Sequence, residues 1–126
     1  LTVGCAAPLQ EAVIPGLEFG QDYYDDLLAK YTHKKDLFLK GLDDLHISHN
    51  DPEGAYYVLL DIREYGYESD LQFCKNLARE VGVGAVPGSS FFREPVNHLI
   101  RLHFAKNDDT LNEALNRLEK IQKLKK

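Results

Sequence analysis

Hydrophobic residues in the first part of the chain recur at helical spacing and predict two helices. The stretch "AAPLQEAVI" has the pattern of a short helix, with Pro8 in its first turn, and Pro15–Gly16 should end it. A long helix is predicted from Gln21 to an end near Gly41–Asp44. Its apolar stripe consists of Tyr24, Leu27, Leu28, Tyr31, Phe38, Leu42 and Leu45.

The middle of the chain predicts two strands and a helix. The segment "LHISH" is compatible with a short strand. The run "AYYVLLDI" is almost continuously apolar, which is typical of a central strand covered on both faces. Ser69 and Gln72 match a capping box for the helix that follows. The predicted buried stripe of that helix consists of Leu71, Cys74, Leu77, Ala78 and Val81.

The last part of the chain predicts two more strands and a closing helix. "GVGAVPG" indicates a short strand flanked by glycines, and residues 98–104 form another strand. Thr110 with Glu113 matches a capping box for the closing helix, although Asp108 or Asp109 is an alternative cap. The inner face of that helix consists of Leu111, Ala114, Leu115, Leu118 and Ile121.

This order of elements predicts an α+β fold with a small, mainly antiparallel sheet covered by helices and a long N-terminal helix. The chain has 126 residues, 44% hydrophobic and 28% charged, as in an ordinary soluble domain. Its net charge of −5 argues against a nucleic-acid surface. The sequence has no apolar run of transmembrane length and no recognisable signal peptide, so we expect no membrane partner.

The cysteines and histidines predict neither a metal site nor a nucleophile. Cys5 and Cys74 lie far apart, and the five histidines are scattered without the spacing of metal ligands. Cys74, on a predicted helix stripe, is interpreted as a small core residue. Cysteine usage of this kind is typical of a reducing compartment, which predicts the cytoplasm.

One strand contains an unexpected charge. Alternation along "HLIRLHF" puts Ile100, Leu102 and Phe104 toward the core, and Leu99, Arg101 and His103 on the other face. An arginine in such a strand needs solvent or a partner, either an internal carboxylate or the carboxylate of a ligand. The sequence pattern alone leaves these alternatives open.

The ordered motifs resemble a known family. "PEGAYYVLLDI", "DLQFCKNLAREVGVGAVPGSSFF" and "HLIRLHFAKNDDTLNEALNRLEKI" follow one another as in the C-terminal small domain of fold-type I, class I/II pyridoxal-phosphate aminotransferases, the aspartate aminotransferase superfamily. The resemblance covers nearly the whole chain. It implies that Arg101 binds the α-carboxylate of an amino-acid substrate. It implies more weakly that Tyr56 is near the substrate and that Ser89, Ser90 and Phe91 line the site.

The same resemblance implies that the central machinery lies elsewhere. In this family a lysine forms a Schiff base with pyridoxal phosphate and an aspartate pairs with the pyridine nitrogen, both in the large domain. The lysines here lie outside the family's "S-x-x-K" context. We therefore expect no catalytic or cofactor-binding residue in this chain, and no activity or bound cofactor in the chain alone.

These implications lead to a domain assignment and to alternatives. Residues 1–20 would be the segment leaving the large domain, and residues 21–126 the small domain of a homodimeric parent enzyme. The apolar residues near the N-terminus would pack on that large domain, or self-associate without it. The alternatives are a freestanding α+β binding or regulatory module, and a dimerisation domain in which Arg101 forms an internal ion pair. A large domain in the full gene would favour the enzyme.

Overall fold

The computed structural model describes residues 4–126, and the chain divides into two compact units between Lys30 and Tyr31. In the first unit, helix α1 spans Ala7–Leu17 and is followed by the beginning of α2, Gln21–Asp44. No residue of α1 is buried. The large apolar residues exposed in this unit are Leu9, Val13, Ile14, Leu17, Phe19, Tyr23, Tyr24, Leu27 and Leu28. Residues 1–3 of the predicted 1–20 segment lie outside the described residues.

Two expectations for these helices need correction. Helix α1 continues past Pro15, because a proline this close to the helix end removes only one backbone hydrogen bond. The apolar stripe of α2 is buried only in its second half, where Phe38 and Leu42 enter the core of the second unit. Gly41 permits this packing, because a Cβ at that position would clash with the side chain of Leu115.

The second unit is built on a three-stranded antiparallel sheet in the order β1-β3-β2. Strand β1 is Tyr57–Asp61, β2 is Val86–Pro87 and β3 is Leu99–His103. The predicted central strand β1 is therefore at one side of the sheet, and β3 is central. Burial alternates along β1, because Val58 and Leu60 enter the core whereas the residues between and beside them face the other side of the sheet. The α+β class and the antiparallel sheet are confirmed.

The predicted strand "LHISH" forms only one bridge, between His49 and Leu60. His46 has a left-handed backbone with φ 56°, which interrupts an extended conformation. The side chain of Asn50 then accepts a hydrogen bond from the Leu59 backbone N–H at 2.8 Å. The Asn50 side chain thus accepts the Leu59 N–H in place of the backbone carbonyl of a continuing strand.

Helix α3, Asp70–Asn76, continues into a π-helical turn, Leu77–Val81. The Ser69 side chain accepts from the Gln72 backbone N–H at 3.3 Å, which confirms the predicted N-cap. The Gln72 side chain bonds to Asn76, at 3.1 Å, rather than completing a capping box. Cys74, Leu77 and Val81 are buried as predicted, but Leu71 and Ala78 are exposed because the buried face follows Phe73 and the π turn shifts the register.

Helix α4 is Asp108–Leu118, and its cap was predicted wrongly. The N-cap is Asn107, whose side chain accepts from the Thr110 backbone N–H at 2.9 Å. Glu113 instead pairs with Arg117 at 2.7 Å, because residues four apart share one helix face. The buried residues of α4 and the following turn are Leu111, Leu118, Ile121 and Leu124.

Asn107→Ala should lower the free energy of unfolding by about 1 kcal/mol, because the Thr110 N–H loses its acceptor. Thr110→Ala should cause no loss, since the Thr110 backbone alone makes this bond. Urea unfolding followed by circular dichroism measures both values. The reverse order of effects would show that the Thr110 side chain is the cap.

Cys74 should be unreactive in the folded chain. Burial, and then the charge of Asp70, raise the pKa of the Cys74 thiol to about 11, whereas Cys5 is exposed. At pH 8 only about one Cys74 thiol in a thousand is then ionised. An aromatic disulfide reagent should label one thiol per chain quickly and the second only in urea, and Cys5→Ser should abolish the fast phase. Fast labelling of native Cys5→Ser protein would contradict this.

Candidate carboxylate-binding site

Arg101 is in the middle of the central strand and faces away from the core. Its neighbours in β3, Ile100 and Leu102, are buried, whereas Arg101 is half-buried. The Cζ atom of Arg101 is 4.1 Å from the ring centre of Tyr57 and 3.9 Å from that of Phe91. Tyr57 belongs to β1 and Phe91 to the turn after β2, so the two rings come from opposite sides of β3. The guanidinium is thus supported by aromatic faces.

The acidic residue on this face of the sheet is already paired. Asp61 is the only acidic residue of the three strands, and its carboxylate accepts from the Arg63 Nε at 2.9 Å and also pairs with Arg63 Nη2. Hydrogen bonding to Arg63 lowers the pKa of Asp61, so it remains a carboxylate bound to Arg63. Within residues 4–126, no carboxylate forms an ion pair with Arg101. The N–H groups of Arg101 are therefore not bound to an anion of the part of the chain that the structure describes.

The loop that supplies Phe91 is fixed by a buried carboxylate. Asp70 is only 2% exposed and is the one buried charged residue in the part of the chain that the structure describes. It accepts from the Ser89 backbone N–H at 2.7 Å and from the Ser89 hydroxyl at 3.1 Å. It also accepts from the Leu71 N–H at 2.8 Å. These bonds hold the 3-10 turn Gly88–Ser90 against helix α3.

Gly88 allows the same turn to approach β3. It is buried, and a Cβ at this position would contact the backbone carbonyl of Leu99 too closely. Since the obstacle is backbone rather than a mobile side chain, only glycine fits without displacing β2 from β3. The turn and the Arg101 strand are therefore in direct contact.

Tyr56 precedes β1 and contacts Tyr57, whose ring lies against Arg101. Its ring lies 4.4 Å from that of Tyr57, and the Tyr57 hydroxyl donates to the Tyr56 hydroxyl at 3.2 Å. The hydrogen bond between these two ionisable hydroxyls, and then repulsion between their charged forms, raise the pKa of Tyr56, so its phenol is neutral at physiological pH. The Tyr56 side chain is exposed.

The structure thus groups some of the predicted residues and separates others. Phe91 contacts the guanidinium, whereas Ser89 uses both its N–H and its hydroxyl on Asp70, and Ser90 is exposed beside it. Tyr57 and Asp70 were not predicted. Tyr57 and Arg101 lie on the same face of the sheet because Leu59 is paired with Arg101. This register between the two strands cannot be determined from the sequence.

Two cavities lie near this sheet. One, of about 310 Å³, is bordered by Gly82, Val83, Leu102, His103, Lys106 and Arg117 and does not include Arg101. Another, of about 210 Å³, is bordered by Ser48, His49, Asn50, Leu59, Asp61 and Leu99, on the Arg101 side of β3. Leu59 is the cross-strand partner of Arg101, but Arg101 itself does not border the second cavity either.

No lysine in residues 4–126 is buried, and most lie on helices or in the C-terminal turn. Lys35 pairs with Asp51 at 3.2 Å and Lys125 with Glu64 at 3.1 Å. In the same residues, no group of three or more histidine, cysteine or acidic side chains could hold a metal ion. No described helix is both long and apolar enough to cross a membrane.

Comparison with known proteins assigns the family. The model of the family "Aminotransferase class I and II" matches residues 2–118. The chain belongs to the class I and II aminotransferases. A methionine aminotransferase from Escherichia coli is 34% identical to this aminotransferase chain over 122 residues, which is 96% of the chain and 32% of that protein. The fold and the sequence resemblance thus agree.

Solved aminotransferases have the same fold. The N-succinyldiaminopimelate aminotransferase from Mycobacterium tuberculosis is 36% identical with a TM-score of 0.78, over 90% of this chain and 30% of that one. The aspartate aminotransferase from Thermotoga maritima is 29% identical with a TM-score of 0.78, over 97% and 30%. This aminotransferase chain spans about 30% of the length of the relatives it matches.

Replacing the buried carboxylate of Asp70 should destabilise the fold. In Asp70→Asn the amide N–H₂ replaces one acceptor and faces the Ser89 donors, so we expect a loss of roughly 1.5–3 kcal/mol. The matched control is Asp36→Asn on the exposed side of α2, which should change stability by less than about 0.5 kcal/mol. Urea unfolding compares the two, and equal midpoints would refute the role given to Asp70.

Proposed function

We propose that this chain is the C-terminal small domain of a pyridoxal-phosphate-dependent aminotransferase, with residues 1–20 leading from the large domain and 21–126 forming the small domain. The parent enzyme transfers an amino group between an amino acid and a 2-oxo acid. In this proposal Arg101 binds the α-carboxylate of the substrate. The observation that supports it is the Arg101 guanidinium, which lies against two rings and forms no ion pair with a carboxylate of residues 4–126.

The chemistry of this role follows from the shape of arginine. A guanidinium offers parallel N–H donors that match the two oxygens of a carboxylate, which fixes both the position and the orientation of the substrate. Tyr56 is a weaker candidate for contact with the substrate, and Phe91 and Ser90 border the same face. Ser89 lines the site only through its turn, since Asp70 occupies its polar atoms.

The cofactor belongs to the proposed large domain of the same polypeptide. Pyridoxal phosphate supplies the electron-accepting chemistry of the reaction there. The exposed apolar residues of the first unit support a surface that packs against this large domain, or against another copy when the large domain is absent. We also propose a homodimeric, cytoplasmic parent enzyme, in line with the family resemblance.

Arg101→Lys in the full-length protein tests the substrate-binding role. Lysine retains the charge but replaces the fork with a point charge, so one charged hydrogen bond worth about 1.5–3 kcal/mol is lost. We expect kcat/KM for transamination to fall at least ~10-fold. A substrate panel of amino acids with pyridoxal phosphate, followed in single-turnover and steady-state assays, measures this.

The matched control is Arg79→Lys, an exposed arginine on the π-helical turn, which should transaminate normally. Both variants should unfold at the urea concentration of the unmodified protein, because neither change empties the core. Normal kcat/KM in Arg101→Lys would remove the proposed role of Arg101. An unmodified full-length protein that transaminates no amino acid would remove the proposed activity.

A further inference from the structure

The two rings around Arg101 restrict a side chain that would otherwise be mobile. An arginine without an ion-pair partner samples many rotamers, and ordering it when a ligand arrives has an entropic cost. Here the Cζ atom is in van der Waals contact with both rings, at 4.1 Å from the centre of Tyr57 and 3.9 Å from that of Phe91. Much of that ordering is therefore already done in the absence of a ligand.

We infer that Tyr57 and Phe91 are positioning residues that hold the Arg101 guanidinium plane ready for a carboxylate. This inference rests on the proposed substrate-binding role of Arg101. Both rings lie against the guanidinium carbon, and within residues 4–126 the guanidinium N–H groups form no ion pair. The ligand class that this arrangement fits is a planar carboxylate that approaches in the plane of the guanidinium.

The position of each ring is itself fixed. Tyr57 is the first residue of β1 and is paired with His103, which places it diagonally from Arg101 on the same face of the sheet. The Phe91 N–H donates to the Gly88 carbonyl at 2.9 Å, in the turn that Asp70 holds through Ser89. The rings are thus attached to rigid elements on both sides of β3.

Neighbouring aromatic residues provide a sharp control. Phe91 is 51% exposed and Phe92 is 40% exposed, so both are surface aromatics in one loop, but of these two rings only that of Phe91 lies against the Arg101 guanidinium. Phe91→Leu and Phe92→Leu remove the same atoms. A difference between them reports the contact with the guanidinium rather than loop hydrophobicity.

The experiment uses the full-length holoenzyme with Phe91→Leu, Tyr57→Leu, Phe92→Leu and Arg101→Lys. The readouts are KM and kcat for the best amino-acid substrate, and the inhibition constants of butyrate and of 1-butanol. Butyrate probes carboxylate binding without reaction, and 1-butanol has the same chain without the carboxylate. The butyrate constant is a binding measurement, independent of turnover.

We expect Phe91→Leu and Tyr57→Leu each to raise KM and the butyrate inhibition constant roughly 3- to 10-fold, the range for loss of one cation–π contact. Both kcat and the 1-butanol constant should change less than about 2-fold, because positioning Arg101 affects carboxylate binding alone. Phe92→Leu should match the unmodified enzyme. Phe91→Leu removes only an exposed ring, so it keeps the test valid if Tyr57→Leu unfolds.

Three outcomes would overturn the inference. If Phe91→Leu equals Phe92→Leu while Arg101→Lys is impaired, the rings do not position Arg101 and the proposed function survives. If butyrate and 1-butanol weaken equally, the rings shape an apolar pocket instead. If Arg101→Lys also leaves butyrate binding unchanged, the proposed role of Arg101 fails, and the inference fails with it.

Discussion

The alternation of side chains along β3 is the constraint on which the second unit depends. Ile100 and Leu102 must enter the core, so Arg101 between them must face away from it. A shift of register by one residue would bury a guanidinium and expose two core residues, at a cost comparable with the whole stability of a small domain. The position of Arg101 is therefore fixed by the hydrophobic residues on either side.

Strand geometry determines the direction of Arg101, but polar contacts determine its surroundings. Asp70 is buried, which is unfavourable for a charge unless donors surround it, and three N–H or O–H groups do so. These donors belong to a turn and a helix start that are distant in sequence. The buried Asp70 carboxylate thus fixes the position of the loop rich in serine and phenylalanine beside β3.

Periodicity in the sequence was enough to predict the helices, the core face of β3 and the α+β class. It failed where several residues compete for one local role, as at α4, where Asn107 rather than Thr110 accepts the capping hydrogen bond. It also placed β1 in the centre of the sheet, because a run of apolar residues does not state strand order. The contact of Tyr57 with Arg101 depends on cross-strand register, which no local pattern encodes.

The pairing of Asp61 with Arg63 has a consequence for mutational tolerance. Asp61 and Arg101 are diagonal positions on neighbouring strands, about 7–8 Å apart in such sheets, which is within reach of a long side chain. Arg63, with a side chain 74% exposed, holds that carboxylate, so that Asp61 does not pair with Arg101. By binding Asp61, the exposed Arg63 therefore prevents this carboxylate from competing with a ligand for Arg101. Exposed positions usually tolerate substitution, and this criterion would overestimate the tolerance of position Arg63.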